Sequence, residues 1–134
     1  MSRATRRMVA LVIACLIAAG VIYLMNHLAA GATPRPAGGQ ESLKVALEAG
    51  QIPFSALLLV LGGWLVAAYL GGTVATRLSG ERGPAQLFAV ILTLAILATQ
   101  LESAHPTWMW IGGLLGVPLI ALGAAGESIT VRSR

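Results

Sequence analysis

Residues 54–76 read FSALLLVLGGWLVAAYLGGTVAT. No charge interrupts this stretch, and Ser55 and Thr73 are the only small polar side chains between Phe54 and Ala75. An α-helix rises 1.5 Å per residue, so about twenty residues cross the hydrocarbon core of a bilayer. The run is long enough to do so, and its glycines are spaced for close packing instead of for turns. Such a segment predicts a transmembrane helix, and the rest of the chain divides around it in the same manner.

Upstream, Met8–Ala30 opens with uninterrupted apolar residues as far as Met25 and closes on Asn26 and His27. Downstream, Ala85–Leu101 (with Gln86, Thr93, Thr99 and Gln100) and Trp108–Ala125 are two further runs. The expected fold is therefore an all-α membrane protein, a bundle of four transmembrane helices at about 8–30, 54–76, 85–101 and 108–125. Short polar turns at Arg77–Pro84 and Glu102–Thr107 make the last three spans antiparallel neighbours. The longer segment 31–53 begins with Pro34, Pro36 and Gly38-Gly39, which break helices. Within it, 41–49 predicts a short amphipathic helix, with Leu43, Ala46 and Leu47 on one face and Glu41, Lys44 and Glu48 on another, suited to lying in the interface. Basic residues in short connecting segments orient a membrane protein with the richer side in the cytoplasm. Arg3, Arg6, Arg7, Arg77, Arg82, Arg132 and Arg134 would share one side, against Arg35 and Lys44 on the other. Both termini are expected in the cytoplasm, with Trp108 and Trp110 in an outer aromatic belt.

Composition agrees. The 134 residues are 57% hydrophobic and 10% charged, with a mean hydropathy of +0.82. A soluble domain carries about a quarter charged residues and would otherwise expose one continuous apolar patch. The net charge of +4 does not point to nucleic acid, since the basic residues flank apolar runs instead of clustering on one face. Cys15 is the sole cysteine, which excludes an intrachain disulfide and a dithiol relay. It sits in Val12-Ile13-Ala14-Cys15, a lipoprotein-like tetrapeptide, but the residues beyond it stay apolar, so it reads as a small packing residue. The Ala30-Gly31-Ala32 triplet imitates a signal cleavage site. The preceding apolar run exceeds the roughly 7–15 residues of a signal peptide, so an uncleaved anchor is expected.

Lipid tails are as apolar as leucine, so spans associate by close backbone approach. Gly63, Ala67, Gly71 and Ala75 recur every four residues, and Gly112 and Gly116 repeat the device in the last span. Pro118 removes one hydrogen bond and crowds the Leu114 carbonyl, which predicts a kink. Trp64 shares the helix face of Gly71 and Ala75 and reads as a packed wedge or as the floor of an outward cavity.

Ionisable groups inside a membrane are costly and mark function. None falls at the midplane of the spans here, and no nucleophile set, phosphate loop or carboxylate pair is present, so no catalytic residue and no cofactor are expected. Polar residues gather instead at the outer ends of the spans. Asn26, Trp64, Gln100 and His105 are candidates to line a vestibule. Glu102 and His105 have the Glu-x-x-His spacing of carboxylate metal sites, and with His27 they are weak metal-ligand candidates, though Pro106 places them in a turn.

Pro53, Gly62-Gly63-Trp64, Gly71-Gly72, Ala75-Thr76-Arg77, His105-Pro106-Thr107-Trp108 and Pro118 together resemble a group of small uncharacterised bacterial four-span proteins, over roughly Ile52 to Gly126. The resemblance implies a bacterial inner-membrane location and a structural role for the glycine seam and the His-Pro-x-Trp turn. It implies no activity. Three readings stand: a non-enzymatic accessory or structural component with a membrane-protein partner or as a homo-oligomer, a small channel or facilitator, and a membrane-bound metal sensor.

Overall fold

Ser2 caps the first helix, its side chain accepting the Thr5 N–H at 3.1 Å. Helix α1 (Arg3–Gly31) therefore starts ahead of the apolar run and carries its arginines on the same rod. It is followed by α2 (Phe54–Ser79), α3 (Gly83–Glu102), a short α4 (Thr107–Ile111), a π turn at Gly112–Gly116, and α5 (Val117–Thr130). These elements come from a computed structural model that describes residues 1–33, 45–102 and 105–130. Four segments are long and apolar enough to cross a membrane, the last being Thr107–Glu127, and among the described residues there is no strand. The expected four-helix membrane fold is thus present. Of the interfacial helix expected at 41–49, residues 45–48 are helical and 41–44 lie outside the described residues.

α2 ends where Gly80 takes a left-handed φ of 76° and donates to the Thr76 carbonyl at 2.7 Å. Gly83 and Pro84 then begin α3, proline fitting a first turn whose N–H would have no partner within the helix. The turn between them is tied to α1. Arg6 Nε donates to the Leu78 carbonyl at 2.6 Å, and Arg7 forms an ion pair with Glu81. These contacts put the start of α1 and the α2–α3 turn at one arginine-rich end of the bundle. At the opposite end the rings of Phe54 and Trp108 meet at 5.3 Å.

α2 is the central helix, packing against α1, α3 and α5, most extensively against α1. The seam residues Gly63, Ala67, Gly71 and Ala75 are all buried, and within one chain they meet different neighbours. A Cβ on Gly63 would stand 2.7 Å from Met25 Cβ of α1, and one on Gly71 would overlap the Phe88 ring of α3. Gly72, beside the seam, lies against the Ala121 backbone of α5. α1 answers with Ala10, Ala14 and Ala18, also at four-residue spacing and buried. Large side chains point the other way: Leu16, Leu94, Leu115 and Leu119 are among the most exposed. Small residues inside and leucines outside is the arrangement that a lipid solvent favours.

Pro118 is accommodated by the π turn at 112–116, which contains Leu114, the residue whose carbonyl the proline ring crowds in a regular helix. A π turn holds an extra residue, which relieves the clash between the proline ring and the preceding turn. Gly112 and Gly116 receive the side chains of Leu61 and Leu65, at 3.0 and 2.9 Å from the positions a Cβ would take.

Candidate functional site

Hydroxyl groups within the spans are mostly spent on their own helices. Thr76 Oγ1 donates to the Gly72 carbonyl at 2.9 Å, Ser79 Oγ to Ala75 at 2.6 Å, Thr93 Oγ1 to Ala89 at 2.7 Å and Thr99 Oγ1 to Ala95 at 3.0 Å. Each bond to the carbonyl one turn back satisfies the hydroxyl without an outside partner. Among the described residues, two buried side-chain polar atoms are left with no hydrogen-bond partner, Thr73 Oγ1 and Gln100 Oε1.

Gln100 belongs to a buried cluster that joins α3, α4 and the π turn. It closes α3, is 1% exposed, and its Nε2 donates to the Met109 carbonyl in α4 at 3.0 Å. That carbonyl also accepts from the Gly112 N–H at the head of the π turn. Trp64, 2% exposed, brings Cζ3 to 3.2 Å from the place a Gly113 Cβ would occupy, and Gln100 Nε2 lies 2.9 Å from the same point. His105 sits against the same indole, ring centroids 5.9 Å apart at 61°. Of the four candidate vestibule residues, Trp64 and Gln100 meet at Gly113 and His105 lies against Trp64. The fourth, Asn26, is exposed on α1.

Gly113 and the Met109 carbonyl are the members of this cluster that sequence reasoning did not nominate. The i, i+4 spacing of Gly112 and Gly116 drew attention away from Gly113, and only the extra residue of the π turn swings it inward. A backbone carbonyl leaves no trace in residue type at all.

The arrangement is a buried amide beside a buried indole, with an imidazole against that indole. Among the described residues no three His, Cys, Asp or Glu side chains could hold a common metal ion, so His27, Glu102 and His105 do not assemble as ligands. His27 stacks on Tyr23 of its own helix at 6.3 Å, and Glu102 is exposed at the end of α3. In comparisons with known proteins, no family model, no curated protein and no solved structure matches the chain.

Proposed function

We propose that the chain is a non-enzymatic accessory or structural component of a bacterial inner membrane, with both termini in the cytoplasm. The observation that carries this reading is the composition of the interior. Alanine and glycine fill it, Trp64 and Phe88 wedge it, and its hydroxyls are largely bonded to their own helices. Among the described residues this interior buries no charged side chain, whereas the outer faces expose long rows of Leu, Val and Ile to lipid or to another membrane helix. α1 is the least buried span and offers the widest such face.

Purification in mild detergent from cells making the protein at native level, followed by mass spectrometry of what travels with it, tests the reading. A membrane protein retained in fixed stoichiometry, or a defined homo-oligomer without flux, supports it. Turnover of a substrate by the purified chain alone overturns it.

One observation favours a second reading, that of a small facilitator. The unpartnered Gln100 oxygen beneath Trp64 and His105 is the kind of group a permeating solute would meet on leaving its hydration shell. Here Trp64 would be the closed gate. This reading expects solute flux into proteoliposomes that changes when Trp64 is replaced by Leu, and no flux across a broad solute panel removes it.

A further inference from the structure

At the arginine-rich end, α1 and the start of α3 stand apart and leave a groove of about 380 Å³. This lies within the roughly 300–1,000 Å³ of clefts that hold small molecules. One wall is the stripe Ala4, Met8 and Leu11, spaced three and four residues apart on a single face of α1. Pro84 and Leu87 line the other wall, and the Arg7–Glu81 ion pair bridges the two. The lining is otherwise apolar, and Met8 and Leu87 are 62% and 49% exposed, so the groove opens toward the lipid-facing surface.

The charge above it is unbalanced. Arg7 and Glu81 satisfy each other. Arg3 lies one turn before Arg7 on the same face of α1, and Arg82 adjoins Glu81 in sequence; both are exposed. An apolar slot at the arginine-rich end of the bundle, with one further exposed arginine on the helix or turn that forms each wall, matches one class of molecule. We infer that this groove binds an anionic diacyl glycerophospholipid, one acyl chain lying along Ala4, Met8, Leu11 and Leu87 and the phosphate received by Arg3 and Arg82. Basic pockets between transmembrane helices bind acidic headgroups in this manner, and guanidinium suits phosphate because it can donate two parallel hydrogen bonds. The inference stands whether or not the chain has a protein partner.

The test uses the full chain in detergent, offered an equimolar mixture of phosphatidylglycerol and phosphatidylethanolamine with identical acyl chains, and read by native mass spectrometry. The expected result is one tightly retained phosphatidylglycerol, with a preference of roughly fivefold for each arginine engaged. Arg3→Gln with Arg82→Gln should bring that preference close to unity, while Arg3→Lys with Arg82→Lys should keep most of it. Ala4→Trp, filling the groove from an exposed position, should lower retention of both lipids while α1 keeps its helicity. Glycerol phosphate at millimolar concentration should not displace the lipid. Equal retention of the two lipids by the unmodified chain overturns the inference. So does a preference that survives loss of both arginines, retention unchanged by Ala4→Trp, or displacement by glycerol phosphate.

Discussion

The Gln100 amide donates to the Met109 carbonyl while its own oxygen meets no donor among the described residues, in a region where the side chain is all but sealed from outside. Such an atom carries a desolvation cost of about 1–3 kcal/mol, comparable with or larger than the net gain of one hydrogen bond, about 1 kcal/mol. The Met109 carbonyl keeps the Gly112 N–H if Gln100 is lost. Gln100→Leu should therefore leave stability within about 1 kcal/mol of the unmodified protein. Gln100→Glu should cost about 3 kcal/mol or more, because an ionised carboxylate cannot donate to a carbonyl and would be buried without a partner. Reversible unfolding in mixed micelles measures both, and equal losses would show that the Gln100 oxygen does meet a donor. Glycines provide a second contrast. Ala121 presents backbone to Gly72, which cannot swing aside, so Gly72→Ala should cost about 1–3 kcal/mol. Gly123 has open space, and Gly123→Ala should be neutral or gain up to about 1 kcal/mol in the same assay. Sequence spacing identified Gly63 and Gly71 as seam residues. It could not tell Gly72 from Gly123, because the difference lies in which helix happens to pass each one.

Among the elements, the last span depends on one extra residue. The π turn at 112–116 places Gly113 against Gln100, Ile96 and Trp64, whereas an uninterrupted α-helix would rotate the residues before it by about 100° relative to those after it. Proline at 118 explains why the wide turn sits there: its ring would crowd a normal turn. Removing one residue from the π turn and the proline together should restore a continuous α-helix with both halves still in register. Leu115 is the residue to remove, since it points outward at 60% exposed and takes nothing from the interior. Deleting Leu115 with Pro118→Ala should lower the unfolding temperature far less than deleting Leu94, equally outward-facing in α3, where no spare residue exists and every contact beyond the deletion turns by a third of a circle. Comparable losses would mean that the π turn is fixed by its glycines and not by the proline. That the regular helix would be disturbed next to Pro118 was legible in the sequence because proline acts locally. The π turn and its placement were not, because they also depend on Leu61 and Leu65 filling Gly112 and Gly116 from another helix.

For the whole molecule, solvent decides what the sequence can reveal. In a bilayer the spans need only be long and uncharged, so their number and approximate limits are set by runs such as 54–76. Helix ends extend beyond those limits because capping by Ser2 and Gly80 operates in water, past the apolar stretch. The mutual arrangement of the spans rests on alanine faces such as Ala10, Ala14 and Ala18, which carry no hydrophobic contrast to their neighbours and so leave no periodic signal. Orientation rests on charge. Arg3, Arg6, Arg7, Arg77 and Arg82 belong to the one end fixed by the Arg6–Leu78 and Arg7–Glu81 contacts, and Arg132 and Arg134 come after α5 in sequence. The positive-inside bias then predicts that this end faces the cytoplasm. A Cys15→Ala background with single cysteines at Ser2, Arg82, Gln51 or Glu102, all exposed, permits a direct reading. In intact spheroplasts a membrane-impermeant maleimide should label the cysteines at 51 and 102, and those at 2 and 82 only after permeabilisation. The converse pattern would reverse the orientation. Labelling of all four at about half yield would mean that the arginine bias fails to choose between the two insertions, and that the chain enters the membrane both ways.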